Sequence, residues 1–265
     1  MHIFYMISEA NNSPISITKD MAPKTSRFMD LSKLDILKSC WLSFQTGLDK
    51  TDTIHLLAAC VTEETMAWLR KTCNAKLVIQ EIPSIDQFTP PYGKHPYPEF
   101  CEIRINHFIP QYVYMMEVVE KNPNELYYLA NDDYLHIPTA IKQIKELYAE
   151  GYEGFFVPQD YPDCYTEANR TAELYLTKHG YMRTVNSATP TLLAPGKVWL
   201  HFKYDILKAS VFADDGWTWR AFKIIKALTP MPGWSTHLQN NCIAPYVDWY
   251  SLAKQYLEED KVAGN

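Results

Sequence analysis

No stretch of this 265-residue chain approaches the roughly 18 uninterrupted apolar residues that a bilayer-spanning helix requires. Its start, Met1 to Asn11, lacks a basic leader followed by a long apolar run, so the chain reads as cytoplasmic, with no transmembrane segment. No two of the six cysteines (Cys40, Cys60, Cys73, Cys101, Cys164, Cys242) form a CxxC pair, and that spacing signals neither a zinc site nor a disulfide framework. They read as reduced thiols. A basic surplus is missing too: the formal net charge of -6 leaves no cationic face for a phosphate backbone, which excludes nucleic acid as the expected partner. Internal repeats and low-complexity tracts are also absent.

What the sequence does have is 47% hydrophobic residues, enough at this length to bury the core of one large domain. The 14% aromatic share, with 18 Tyr and 7 Trp, suits the wall of a sugar or nucleobase pocket and equally a wet-edged core, and it leaves a homodimer open. Periods of two and 3.6 alternate along the first half. His2 to Ile7 reads as a strand; Asp30 precedes an amphipathic helix carrying Leu34, Leu37, Trp41 and Phe44; Thr53 to Ala59 reads as a buried strand. Thr62 caps a second helix, and Lys76 to Ile82 is a third strand. After a proline-rich loop from Pro83 to Pro98, a helix from about Asn106 to Lys121 leads into the strand Leu126 to Ala130. This alternation predicts a parallel sheet with helices on both faces.

Beyond that strand, a helix starting at Pro138 and ending at Gly151 is expected, then a strand over Gly154 to Pro158. The pattern then loosens. A helix from Thr166 to His179, extended runs at Tyr181 to Val185, Thr191 to Ala194 and Val198 to Phe202, and helices near Trp217 to Leu228 and Tyr246 to Glu259 complete the expectation, with Lys261 to Asn265 as a frayed tail.

In open α/β sheets ligands bind at the carboxyl ends of strands, and Asn131-Asp132-Asp133 lies at such an end. Two adjacent carboxylates beside an amide can hold a hard divalent cation whose remaining ligands belong to a diphosphate. The plainer reading is an acidic, solvated turn. A second acidic pair, Asp214-Asp215, precedes Trp217 and reads either as chemistry or as the cap of the helix that follows.

These residues, with Arg104-Ile105-Asn106 before a helix and the strand ending in an acidic motif, resemble the donor-binding half of GT-A-fold glycosyltransferases of the inverting family-two type. Asp160-Tyr161-Pro162-Asp163, the segment Arg183 to Thr191, and Pro232-Gly233-Trp234-Ser235-Thr236-His237 are similar to a bacterial and phage subgroup of that family. The resemblance implies a single Rossmann-like GT-A domain over 1–265: a mostly parallel central sheet, a nucleotide-sugar-binding half at 1–137, and a mixed acceptor and catalytic half at 138–265. It implies a UDP-sugar donor, a hexose, a carbohydrate or glycoconjugate acceptor and a Mn²⁺ or Mg²⁺ ion. Asp133, His237 and Asp132 are then the metal ligands, with Ser8, Glu9, Arg104, Asn131, Asp132 and Arg183 contacting the donor. Asp215 is the general base of an inverting transfer, Asp214 and Asp163 the next candidates.

Two positions depart from the family's pattern: Asn131 stands where its relatives often place an aspartate, and Ala58-Ala59-Cys60 where they commonly place an acidic residue facing the base. Those departures keep a non-catalytic sugar-binding protein in view. A sugar nucleotidyltransferase fits less well, because Ser8 to Ser13 contains no Gly, Lys or Arg to cradle a triphosphate.

Overall fold

The computed structural model describes residues 1–9, 28, 30–59, 61–81, 111–166, 171–188, 191–212 and 216–264. Its first half follows the expected alternation: β1 (His2–Ser8), α1 (Lys33–Gln45), β2 (Thr53–Ala59), α2 (Glu63–Thr72), β3 (Lys76–Glu81), α3 (residues 111–121) and β4 (Leu126–Asn131). The proline-rich loop lies outside the described residues.

β1 illustrates why this half folds as it does. Ile3, Tyr5 and Ile7 face one side and pack on Leu37, Trp41 and Phe44 of α1; Phe4 and Met6 face the other and pack on Tyr112, Met115 and Met116 of α3. A strand covered on both faces must be apolar at every position, which is why His2 to Ile7 shows no polar alternation. Each large side chain buried in this way stabilises the fold by roughly 2–3 kcal/mol.

The second half continues with β5 (Tyr134–His136), α4 (Ala140–Ala149), β6 (Phe155–Phe156), the short α5 (Asp163–Thr166), β7 (Leu174–Thr177), β8 (Gly180–Val185) and β9 (Leu192–Pro195). It closes with α6 (Gly196–His201), α7 (Lys203–Phe212), α8 (Gly216–Ile224), β10 (Ala227–Met231), β11 (Ser235–His237) and α9 (Trp249–Gly264). Among the described residues, strands from both halves join one nine-stranded sheet in the order β3-β2-β1-β4-β9-β6-β10-β8-β7, in which only β8 and β9 run against the other seven. The α/β architecture with a mostly parallel sheet is therefore present. β5 and β11 pair separately as a two-stranded ribbon.

Several expectations in the second half are corrected. Of the helix expected over Thr166 to His179, the described residues 171–179 instead lead into and form β7, the first strand of the hairpin β7–β8. Leu174 and Leu176 alternate with Tyr175 and Thr177, and Gly180, at φ +101°, closes a turn that no L side chain adopts readily. Val198 to Phe202 is mostly helix α6, and the expected helix to Leu228 stops at Ile224, because Ala227 to Met231 inserts between β6 and β8 as β10. α4 begins at Ala140 rather than Pro138, and α9 runs to Gly264, so 261–264 is not a frayed tail.

Candidate functional site

The sheet order places β1 between β2 and β4, so successive connections leave β1 on opposite sides and open a crevice at the carboxyl ends of β1 and β4. Ser8 ends β1, and its backbone N–H donates to Asp132 Oδ2 across that crevice at 2.8 Å. The other oxygen, Oδ1, accepts from Lys33 Nζ, also at 2.8 Å. Both Asp132 oxygens are thereby occupied.

Lys33 comes to the crevice because α1 begins there. Ser32 is the N-cap, its hydroxyl accepting from the Asp35 N–H while the Asp35 carboxylate accepts from the Ser32 N–H. Asp30, which precedes the helix, accepts from the Tyr250 hydroxyl and Lys254. A cation in the first turn opposes the helix dipole by a few tenths of a kcal/mol, which the nearby carboxylates outweigh. Burial works against the Lys33 ammonium, yet Asp132 and then Asp133 raise its pKa. Burial also raises the Asp132 carboxyl, with Lys33 only partly opposing.

Asp133 and His237 meet through the β5–β11 ribbon. Its register sets His237 opposite Tyr134, and the imidazole stacks on that phenol ring at 4.8 Å with 9° between planes. His237 Nε2 then lies 2.9 Å from Asp133 Oδ2, and the Leu238 N–H donates to the Asp133 carbonyl at 2.8 Å. Burial disfavours the imidazolium, but Asp133 and then Cys242 more than offset it, holding His237 up at about 10. Asp133 is itself penalised by burial and lowered overall by His237 and Lys33.

This arrangement bears directly on a divalent cation. Asp133 Oδ1 and Asn131 Oδ1 are buried with no hydrogen-bond partner among the described residues. No group of three His, Cys, Asp or Glu that could hold a metal occurs among those residues. Asp132 is spent on Ser8 and Lys33. The donor set that fits a cation is therefore Asp133 with His237, an oxygen and a nitrogen that need ligands from a bound molecule to complete the shell, with a proton leaving His237 on coordination.

A second cluster lies alongside. Gln159 bridges in parallel to Ser235 on β11, and Gly233 approaches so closely that a Cβ there would sit 2.9 Å from the Asp160 backbone nitrogen. Asp160 is fully buried; its Oδ1 accepts from Arg183 Nη2 at 2.6 Å and Nε at 3.2 Å, and its Oδ2 from the Tyr165 hydroxyl.

The structure thus brings together Ser8, Asn131, Asp132, Asp133 and His237. Glu9 accepts from the Thr62 N–H at 2.7 Å and from the Thr65 hydroxyl, reinforcing the start of α2. Arg183 is committed to Asp160, and Asp163 is exposed at the start of α5. Arg104, Asp214 and Asp215 lie outside the described residues. Sequence reasoning missed Lys33 and Asp160. The Ser-x-x-Asp box at Ser32 to Asp35 was the signal for the first; the second lies in the segment Asp160 to Asp163, whose resemblance assigned a role to Asp163 and none to Asp160.

No protein-family model matches the chain, and no curated protein matches it. Among solved structures it is similar to S. aureus TarS 1–349 in complex with UDP-GlcNAc, at 12% identity and a TM-score of 0.43 over 97% of this chain and 65% of that one. It is also similar to apo mouse xyloside xylosyltransferase 1 (9% identity, TM-score 0.40, 91% and 78% covered) and to a UDP-glucose pyrophosphorylase complexed with UDP-glucose (12% identity, TM-score 0.42, 97% and 98% covered). The chain spans less than two thirds of the TarS fragment's length. At these TM-scores the likenesses carry no argument about chemistry. No helix among the described residues is long and apolar enough to cross a membrane.

Proposed function

We propose that this chain is a metal-dependent glycosyltransferase that takes a sugar from a nucleotide-sugar donor and passes it to a carbohydrate or glycoconjugate hydroxyl. The donor is a UDP-hexose and the transfer inverting, both on the sequence resemblance. The observation that carries the reading is the meeting of Asp133 and His237, 104 residues apart in sequence, with a buried unpartnered Asp133 oxygen beside the β1–β4 crevice.

A divalent cation, Mn²⁺ or Mg²⁺, held by Asp133 and His237 supplies charge neutralisation for a leaving nucleoside diphosphate. Asp132 acts as the anchor of the crevice rather than as a metal ligand, fixing the Ser8 amide and the Lys33 ammonium. Lys33 adds preorganised positive charge where the phosphates lie. Ser8 and Asn131 are the donor contacts at the strand ends, and Arg104 is a further donor contact on the sequence resemblance; Glu9 is engaged by α2. Asp215 takes the proton of the acceptor hydroxyl, with Asp214 and Asp163 the next candidates for general base.

Calorimetric titration with UDP, with and without Mn²⁺, tests the site. Binding should require the ion in the wild type and be lost in Asp133→Ala and in His237→Ala, with circular dichroism unchanged. Binding that ignores the ion, or survives in both variants, contradicts the assignment.

A further inference from the structure

Beside the donor crevice, two tyrosines stand at the surface in a way that folding alone does not require. Tyr165 and Tyr246 are 46% and 76% exposed, and their rings meet edge to face at 6.0 Å and 78°. Tyr165 is fixed from beneath: its hydroxyl donates to the buried Asp160 carboxylate, and the Arg183 guanidinium lies 5.9 Å from its ring centroid. Tyr246 is fixed through its backbone, at φ +71°, a left-handed conformation that bulky side chains rarely adopt. The loop that imposes it is pinned by the Ala244 N–H donating to Thr236 Oγ1 at 2.7 Å and by Trp249 Nε1 donating to the Ala244 carbonyl at 2.8 Å. Strain that surrounding structure enforces on an exposed aromatic side chain points to a ligand.

Next to Tyr165 a recess of about 110 Å³ is lined by residues that include Arg183, Thr184 and Asn186. It is much smaller than the several hundred Å³ of a drug-sized pocket, too small for a nucleotide. The exposed Asn186 amide on its rim would lose its solvent partners under a purely apolar occupant, whereas Thr184 Oγ1 already accepts from the Glu173 N–H at 3.0 Å and has only its own proton to offer a ligand. The Arg183 charge is already matched by Asp160, which argues against an anion. The ligand that suits an edge-to-face aromatic corner, with the Tyr246 ring largely exposed beside such a rim, is a pyranose, apolar on its C–H face and polar at its edge.

We propose that Tyr165 and Tyr246 form an acceptor-sugar subsite, on which one pyranose ring stacks while its hydroxyls reach Asn186 and Thr184. The subsite rests on the glycosyltransferase reading and names its acceptor as a sugar presented ring-face-on. It neighbours the donor site through the Gln159–Ser235 bridge, since Asp160 follows Gln159 and His237 is two residues beyond Ser235.

Saturation-transfer NMR on the full chain tests it, with methyl glucopyranoside, methyl galactopyranoside and methyl N-acetylglucosaminide as probes. At least one should receive saturation from the wild type. The signal should survive in Tyr246→Phe and fall more than about tenfold in Tyr165→Ala and Tyr246→Gly. Glycine accepts the left-handed turn at residue 246, so Tyr246→Gly should melt at or above the wild-type temperature, and lost binding there is not lost folding. No signal from any probe, or an undiminished signal in Tyr246→Gly, overturns the subsite. UDP titration with Mn²⁺ on the same samples separates the two readings: binding equal in wild type and Tyr246→Gly leaves the donor site standing whatever the sugars do, whereas a wild type that binds no UDP sinks the donor reading.

Discussion

The ammonium of Lys33 and the carboxylate of Asp132, 99 residues apart in sequence, are joined at 2.8 Å, one at the first turn of α1 and the other at the end of β4. The pair ties the helix start to the mouth of the crevice, and its side chains are only 26% and 10% exposed. Removing the cation leaves a poorly solvated carboxylate with one backbone donor. Lys33→Met should therefore cost about 2 kcal/mol in urea melts, less than for a fully buried pair. Adding Asp132→Asn should recover part of that loss; additive costs would show that the two groups do not interact.

Arg183 and Asp160 make the more demanding pair, because Asp160 has no exposure at all. Arg183→Met should destabilise the fold by about 3–5 kcal/mol, while Arg183→Met with Asp160→Leu should recover most of it. Denaturant midpoints measure both, and a single variant within about 0.5 kcal/mol of wild type would show that Tyr165 alone satisfies the carboxylate.

At the opposite end of the sheet His2 Nδ1 lies 3.0 Å from His55 Nε2, and His55 Nδ1 lies 2.9 Å from the Tyr114 hydroxyl. Burial, and then the charge of His2, lowers His55 to about 4; burial lowers His2 as well. A histidine whose folded pKa lies below its unfolded value of about 6.5 gives full stability above that pH and loses it as the pH falls toward 4, because the unfolded chain takes up the proton first. Melting temperature should fall across that window by the equivalent of up to about 3 kcal/mol from His55 alone, and His55→Phe should make the profile shallower, the remainder coming from buried His136, which burial lowers to about 3. An equally steep profile in the variant would assign the acid lability elsewhere.

The legibility of the sequence divides along physical lines. β1, β2 and β4 are central strands buried on both faces, and α2 announces itself with Thr62 and two glutamates, so the first half could be read from periodicity and caps. β7 is illegible in the sequence because Leu174 and Leu176 are exposed on an edge strand, 59% and 76%, so their hydrophobicity reports no core. β5 and β11 are three residues each and exist only through pairing with one another, a contact no local pattern encodes. That same ribbon brings His237 to Asp133. The acidic turn is legible in the sequence as a candidate site, but not that Asp132 is occupied by Ser8 and Lys33, because Lys33 is distant in sequence and reaches Asp132 only through the capped start of α1. Asp160 and Arg183 lie in segments whose pattern resembles a family, yet their pairing joins residues 23 apart through sheet placement, Arg183 standing opposite Thr229 of β10, which no local pattern encodes.

The central claim is that Asp133 and His237 organise a metal-dependent transfer from a nucleotide sugar. It is tested most directly by incubating the purified chain with a panel of UDP- and GDP-sugars, with Mn²⁺ or with a chelator, and measuring released nucleoside diphosphate. Release from at least one donor that requires the ion, and that falls by about 100-fold or more in Asp133→Ala while the melting temperature holds, is the predicted result. Release that persists in the chelator and in Asp133→Ala, or no release from any donor with Mn²⁺ present, would contradict the account.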